Sequence, residues 1–105
     1  MKIGVAATGG SLDADVAEQF GRCRWFILVD SETLRFEAFL NPAGTLSSGA
    51  GPASVKLVRD RGAEAILAGK FGPKAQQAMD AAGLRYAEAS GKVRAAVTQW
   101  TKTSL

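Results

Sequence analysis

Short runs of apolar residues, each bounded by glycine or polar residues, divide the chain into predicted strands. The run from Ala65 to Ala68 stands between Gly62 and Gly69. It is too short for a helix, and its lack of polar positions is typical of a strand buried on both faces. Four other segments have strand-like patterns, either continuous apolar runs or an apolar–polar alternation: Lys2–Ala7, Arg24–Asp30, Leu34–Leu40 and Leu84–Ala87.

Apolar residues at helical spacing predict three helices and a shorter helical turn. Val93, Ala96, Val97 and Trp100 recur at i, i+3, i+4 and i+7 after Ser90, which can cap a helix. The remaining predictions are helices over Pro52–Arg61 and Pro73–Ala82, one helical turn within Asp13–Phe20 and a frayed tail over Thr101–Leu105.

The order β-β-β-α-β-α-β-α predicts an α/β fold with a five-stranded mixed sheet, formed as one domain over residues 1–105. A hairpin at the start makes the second strand antiparallel to the other four. The loops that follow the parallel strands, Thr8–Leu12, Asn41–Gly51 and Gly69–Gly72, are therefore expected at one edge of the sheet. The start of the antiparallel strand brings Gly21–Cys23 to the same edge. The sequence thus predicts one crevice formed by glycine loops and helix N-termini.

Composition and charge narrow the range of functions. The chain is 47% hydrophobic and 22% charged, as in an ordinary globular protein, and its net charge is +3. Scattered positive charge of this size does not demand an anionic partner. The sequence also lacks the basic stripe interleaved with aromatic residues that is typical of nucleic-acid binding. No apolar run approaches the roughly 18 residues of a membrane span.

The histidine and cysteine content argues against catalysis by side chains alone. The chain has no histidine, so neither a Ser-His-Asp nor a Cys-His arrangement can form. The single cysteine, Cys23, cannot form an internal disulfide, and no signal-peptide pattern is visible at the start. We therefore expect a cytoplasmic protein that is not an enzyme.

The motif Gly49-Ala50-Gly51-Pro52 offers a candidate ligand site. It resembles a shortened dinucleotide fingerprint, but Ser54 replaces the third glycine and no acidic residue follows about 20 positions later. The N–H groups of a helix N-terminus can still hold an anion, and the alternative is that these are simple turn glycines. With the other loops of the predicted crevice, the candidate binding residues are Gly9, Gly10, Arg22, Gly49, Gly51 and Gly72.

Cys23 is the candidate metal ligand of the predicted crevice. Arg22 and Arg24 flank it and would lower the pKa of its thiol if they came close, which favours the thiolate that binds metals. A lone cysteine can equally be a small buried apolar residue, and the sequence leaves both interpretations open.

Five short motifs occur in a characteristic order: Lys2-Ile3 before a glycine loop, Phe20-Gly21-Arg22, Asn41-Pro42, Gly49-Ala50-Gly51 and Ala68-Gly69-Lys70-Phe71-Gly72-Pro73. Together they cover almost the whole chain and resemble the dinitrogenase iron–molybdenum cofactor biosynthesis accessory family, of the NifX/NifB C-terminal type. The resemblance implies a ribonuclease-H-like three-layer fold without nuclease activity. It also implies a role in nitrogen fixation: binding or carrying an iron–sulfur or iron–molybdenum cluster precursor, with metallocofactor assembly proteins as partners.

The chain departs from the family pattern at two positions. Members of the family often carry histidine where this chain has Gln19 and Ser48, so that metal ligation would fall to Cys23 alone. Two functions therefore stay open. One is a non-enzymatic carrier of a cluster precursor, and the other is a metal-free accessory module that binds a small anion or a protein partner. No pattern in the sequence indicates an oligomeric state.

Overall fold

A computed structural model of the protein describes residues 1–104, which form a five-stranded sheet flanked by three α-helices. The strands are β1 (Lys2–Ala7), β2 (Trp25–Asp30), β3 (Phe36–Leu40), β4 (Ala65–Ala68) and β5 (Arg85–Glu88). The helices are α1 (Ala50–Asp60), α2 (Pro73–Ala82) and α3 (Val93–Ser104), and a short 3₁₀ helix spans Pro42–Thr45. Within the described residues, no helix has both the length and the apolar character needed to cross a membrane.

The sheet is open and mixed, with the strand order β3-β2-β1-β4-β5. β2 pairs antiparallel with both of its neighbours, which places Val29 beside Ile3 of β1 and Phe36 of β3. β1, β4 and β5 are parallel to one another, with Ile3 beside Ala65 and Ala65 beside Arg85. The predicted α/β fold with a five-stranded mixed sheet is confirmed, and the carboxyl ends of the parallel strands share one edge.

Helices cover both faces of the sheet because the central strands are apolar on both faces. Val58 of α1 and Met79 of α2 belong to the core that contains Ile66 of β4. Val97 of α3 belongs to the core on the opposite face, which contains the next residue of β4, Leu67. The side chains of β4 alternate between these two covered faces, so all four of its residues are buried, as expected from its sequence. The result is three layers, whereas the ribonuclease-H-like relationship stays a prediction.

The helical turn predicted within Asp13–Phe20 is wrong. The segment forms turns and isolated bridges, in which Val16 lies beside Ala7 in an antiparallel arrangement. Phe20 donates its N–H to the carbonyl oxygen of Lys70 over 3.0 Å. Hydrogen bonds to the ends of β1 and β4 thus replace the local bonds of a helix, while Val16 and Phe20 are still buried.

The boundaries of the last helix also differ from the prediction. α3 begins at Val93 and not directly after Ser90, so Ser90 does not cap it. The helix then continues to Ser104, through most of the segment that was predicted to be a frayed tail. Leu105 lies outside the described residues. The apolar stripe of α3 was identified correctly, but the stripe alone does not define where a helix begins.

Candidate anion-binding crevice

A crevice of about 600 Å³ opens between the first turns of α1 and α2. Three segments line it, namely residues 19–22, 49–52 and 70–75. Its apolar surface includes Pro52 and Pro73, above the buried rings of Phe20 and Phe71, whose centroids lie 5.4 Å apart. The crevice therefore combines apolar walls with the ends of two helices.

The first turns of α1 and α2 lack the side-chain caps that often satisfy a helix N-terminus. The N-cap residues are Gly49, with a φ of 76°, and Gly72, and neither N-terminus has a side-chain hydrogen bond in the described structure. The first helical bonds run from the N–H of Ala53 to Gly49 and from the N–H of Gln76 to Gly72. The N–H groups that precede these have no intrahelical acceptor and give the crevice a partial positive charge.

The N-terminus of α3 differs because the protein itself supplies acceptors for it. Val93 donates its N–H to the carbonyl oxygen of Ala14 over 2.9 Å, and Arg94 donates to that of Leu12 over 3.0 Å. Within residues 1–104, the α-helices with open first turns are thus the two that border the crevice. The helix N-termini that lack protein acceptors are therefore found at the crevice and not at α3.

Close backbone approaches bring the two helix ends together. A Cβ atom on Gly51 would lie 3.0 Å from the Cβ atom of Ala75, at the start of α2. A Cβ atom on Gly21 would lie 3.0 Å from the backbone nitrogen of Gly51. Such distances are tighter than most real Cβ contacts. Glycine at these two positions therefore lets the segment before β2 and the first turns of α1 and α2 pack closely together.

The charges around the crevice are of one sign. Arg22, Lys70 and Lys74 line it, and among its described lining residues none is acidic. Lys74 is the second residue of α2, where a positive charge opposes the helix dipole. A cation at a helix N-terminus is unfavourable unless an anion lies close to it. The charges therefore favour an anion over a cation at this place.

Arg22 also holds the loop that precedes α1. Its Nη1 atom donates a hydrogen bond to the carbonyl oxygen of Gly44 over 3.3 Å, and a second one to that of Leu46. The Nε and Nη2 donors have no protein acceptor within residues 1–104. One side of the guanidinium thus fixes the loop, and the other is available to a ligand.

Cys23 is separated from this crevice. Its side chain is only 5% exposed and lines a second cavity of about 380 Å³, together with Arg22 and Arg24. Burial raises the pKa of the thiol to about 12, despite a hydrogen bond from Asn41 that favours the thiolate. Burial disfavours the thiolate, which is the metal-binding form, and the role of Cys23 as a metal ligand stays a prediction.

Asn41 organises the buried polar contacts beneath the loop. Its Nδ2 atom lies 3.7 Å from the Cys23 sulfur and donates to the Cys23 carbonyl oxygen over 3.1 Å and to the Ser54 hydroxyl over 3.2 Å. Its Oδ1 atom accepts the N–H of Ala43 over 3.1 Å. Asn41 belongs to the motif Asn41-Pro42 but was not among the predicted site residues, although asparagine before Pro42 is a recognisable cap for a short helix.

The predicted binding residues fall into two groups. Four of them line the crevice together: Arg22, Gly49, Gly51 and Gly72. Gly9 and Gly10 do not line it and have close neighbours elsewhere. A Cβ atom on Gly10 would lie 3.2 Å from the ring of Trp25, and one on Gly9 would lie 3.4 Å from the Cβ atom of Ala14. These two glycines allow close packing at the end of β1.

Two lysines of the crevice, Lys70 and Lys74, were not among the predicted residues. A signal for Lys74 existed in the sequence, because it directly follows Pro73. Proline marks the first turn of a helix, where acidic residues are normally favoured and a lysine is unexpected. Lys70 has no such local signal, since only the tertiary fold brings the end of β4 beside the helix ends.

The donor groups of the crevice suit a complete anion and not a bare metal ion. In the described part of the chain, no group of three or more His, Cys, Asp or Glu side chains is arranged to hold a metal. The helix N-termini and the lysines would also repel a free cation. A ligand that brings its own inner ligands could instead be held from outside, through N–H groups, cationic side chains and apolar contacts.

Comparison with known proteins identifies a family. The family described as "Dinitrogenase iron-molybdenum cofactor" matches residues 1–103. The orange protein of Desulfovibrio gigas, solved in its apo form, is 37% identical to this chain. That match covers 97% of this chain and 88% of the orange protein, with a TM-score of 0.92. No functionally curated protein matches the chain.

Two further solved structures are similar. A NifB-like protein of Thermotoga is 25% identical, and the match covers 96% of this chain and 87% of that protein, with a TM-score of 0.81. A dinitrogenase-like protein of Methanocaldococcus jannaschii is 13% identical, and the match covers 100% of this chain and 91% of that protein, with a TM-score of 0.66. The second of these similarities shows a shared fold alone.

Proposed function

Because the chain belongs to the dinitrogenase iron–molybdenum cofactor family, we propose that it is a non-enzymatic carrier of an anionic iron–sulfur or iron–molybdenum cluster precursor. One observation carries the proposal. In the crevice between α1 and α2, two open helix N-termini meet three cationic side chains, and none of the described lining residues is acidic. The precursor binds there as a complete anion.

The proposed contacts are outer-sphere, because the crevice offers no set of metal ligands. The first turns at Gly51 and Gly72 direct N–H groups at the anion, and each helix end contributes about 0.3–1 kcal/mol, up to roughly 2 if partly buried. Arg22, Lys70 and Lys74 add positive charge. The apolar surface of Pro52 and Pro73 suits weakly hydrated sulfide ligands. The affinity is therefore modest and weakens with salt.

Outer-sphere binding suits a carrier, because no metal–protein bond has to break when the cargo leaves. The orange protein of Desulfovibrio gigas, the relative with 37% identity, was solved in an apo form, which supports a removable bound group in this fold. The partners in this proposal are metallocofactor assembly proteins that load and unload the carrier. The cytoplasmic location expected from the sequence stays a prediction.

A metal-free accessory module is the second candidate function. The burial of Cys23 favours it, because the chain then offers no thiolate for a metal. In this case the same crevice holds a small anion such as phosphate. The two candidates share the site and differ in the ligand that the site prefers.

Anaerobic titration with tetrathiomolybdate, a simple molybdenum–sulfur anion, tests the first proposal, in parallel with reconstitution from iron and sulfide. We expect a saturable change in the metal–sulfur absorbance at low ionic strength, a rise in Tm, and loss of both at high salt. Replacing Lys70 and Lys74 together by alanine should remove the signal. Cys23→Ser should retain it, because the thiol is not a ligand.

The control ligand is inorganic phosphate under the same conditions. If phosphate raises Tm as much as tetrathiomolybdate does and metal analysis after equilibrium dialysis finds no molybdenum or iron bound to the protein, the metal-free module replaces the carrier. Loss of the chromophore in Cys23→Ser would contradict outer-sphere binding. An unchanged signal in the double lysine variant would place the ligand outside this crevice.

A further inference from the structure

Strand β3 forms an open edge of the sheet and exposes large apolar side chains. It has only β2 as a neighbour in the strand order of the described residues. Phe36 is 44% exposed and Leu40 is 54% exposed, although both lie on a strand. Natural edge strands usually carry lysine, proline or a bulge that prevents further pairing. Phe36–Leu40 contains none of these and has one charge, Glu37.

The backbone N–H and C=O groups of β3 point alternately toward β2 and away from it. Asp30 donates its N–H to the carbonyl oxygen of Arg35, and Asn41 donates to that of Arg24, so these residues face each other as hydrogen-bonded pairs. In an antiparallel ladder such pairs recur at every second residue. The N–H and C=O groups between them therefore point away from β2, and they belong to Phe36, Ala38 and Leu40.

We propose that this edge binds a second copy of the chain, with β3 pairing antiparallel to β3 around a two-fold axis at Ala38. In this register Ala38 faces Ala38, and Phe36 faces Leu40 of the other copy. Each residue whose N–H and C=O groups point outward then faces another such residue of the second copy. Each outward N–H can therefore donate to a carbonyl oxygen of the other copy. Alignment at Ala38, the centre of Phe36–Leu40, is also the register in which the strands overlap over their full length.

The side chains on both faces of the strand agree with this register. On one face, the exposed Phe36 of each copy packs against the exposed Leu40 of the other. On the opposite face, Glu37 comes to lie beside Phe39 of the other copy. The guanidinium of Arg61 already lies 4.0 Å from the Phe39 ring centroid and 3.8 Å from Glu37 of its own chain. Each Arg61 is therefore within reach of the second copy's carboxylate, and the charges are complementary.

The pairing leaves both crevices accessible. A two-fold axis perpendicular to the sheet reverses the strand direction, so the carboxyl edges of the two sheets point in opposite directions. The two copies together form a continuous ten-stranded sheet, with one crevice at each of its two opposite carboxyl edges. Because one short strand provides the contact, the interface is small, and we expect a reversible dimer that depends on protein concentration.

A disulfide trap tests the register directly. Ala38→Cys is made in the Cys23→Ser background, so the introduced residue carries the only thiol. In a hydrogen-bonded antiparallel pair the Cα atoms are about 5.5 Å apart, which a disulfide can span. Leu46→Cys in the same background is the matched control, since Leu46 is an exposed apolar residue away from β3. We expect Ala38→Cys to form covalent dimers at least about tenfold faster, because pairing raises the effective thiol concentration.

Sedimentation velocity over a concentration series gives the second measurement. The weight-average mass of the wild type should rise from 11.0 kDa toward twice that value. Ala38→Pro should stay monomeric, because it removes the central N–H, which β2 does not use. Leu46→Lys should behave as the wild type, whereas Leu40→Lys should lose the dimer. A wild type that is monomeric at every concentration, or equal cross-linking of the two cysteine variants, would overturn the proposal.

Discussion

The backbone of Glu18 lies directly against Gly69, so that a Cβ atom on Gly69 would be 2.6 Å from the Glu18 carbonyl oxygen and 2.8 Å from its Cα atom. Close by, Phe20 donates its N–H to the carbonyl oxygen of Lys70 over 3.0 Å. The connection between β1 and β2 thus crosses the end of β4. This crossing carries residues 19–22 to the crevice, and it requires a residue without a side chain at position 69.

Gly69→Ala is expected to lower the free energy of unfolding by about 3 kcal/mol, the upper part of the usual range for overpacking. The reason is that the new methyl group meets backbone atoms, which cannot move aside as a flexible side chain can. Gly72→Ala is the matched control, because its Cβ atom would meet nothing within 4 Å. Urea denaturation of both variants measures the difference, and equal midpoints would contradict the crossing.

The buried thiol predicts a dependence of stability on pH. The pKa of Cys23 is raised from 9.0 in the unfolded reference to about 12 in the folded protein. Between these values the unfolded chain loses the proton and the folded protein keeps it, so the free energy of unfolding falls as the pH rises from about 9 toward 12. Cys23→Ala should show a shallower fall in urea titrations over that range. Parallel curves for the two proteins would show that the thiol titrates normally.

The contacts of Asn41 predict a second stability effect. Asn41→Ala leaves the Cys23 carbonyl oxygen and the Ser54 hydroxyl without the amide donor, and a buried polar group that loses its partner costs about 1–3 kcal/mol. Thr45→Ala is the control, because its hydroxyl bonds the Pro42 carbonyl oxygen at an exposed site. That change should stay within about 0.5 kcal/mol. Similar urea midpoints for the two variants would argue against a structural role of Asn41.

Local pattern was sufficient for the sheet and for most helix positions. The predicted strand Ala65–Ala68 and the helix Pro73–Ala82 have the observed bounds, since glycine and proline mark their ends. β3 is shorter than its predicted range, Leu34–Leu40, and Leu34 adopts a positive φ of 59° in the turn before the strand. Apolar–polar alternation identifies a strand without fixing where its turn ends.

The segment before β2 and the site chemistry depended on tertiary contacts that the sequence does not show. Val16 and Phe20 have a spacing that is compatible with a helix, but their backbone environment is set by β1 and β4. Cys23 was expected at the crevice edge. It directly follows Arg22, which lines the crevice, but Cys23 itself does not line it. Its side chain turns to the buried contact with Asn41, 18 positions away. Strand topology brought the loops before α1 and α2 to the crevice, whereas the loop Thr8–Leu12 does not line it. Metal ligation by Cys23 stays a prediction.

Lys74 gives the last prediction, in which stability and binding change in opposite directions. Its charge lies in the first turn of α2, against the helix dipole. Lys74→Glu replaces an unfavourable charge by a favourable one, so the ligand-free protein should gain about 0.3–1 kcal/mol in its free energy of unfolding. The same change places a carboxylate at the mouth of the crevice and should remove the Tm shift caused by tetrathiomolybdate.

Lys102→Glu is the matched control because it makes the same charge change in the last turn of α3, where a cation is favourable. It should lower the stability of the ligand-free protein and leave the tetrathiomolybdate shift unchanged. A general effect of net charge would move both variants in the same direction, since each lowers the protein's charge equally. The binding role of Lys74 would be contradicted if Lys74→Glu destabilised the ligand-free protein or if its Tm still rose with tetrathiomolybdate. The opposite signs expected at these two lysines therefore separate a binding role for Lys74 from the ordinary behaviour of a surface charge.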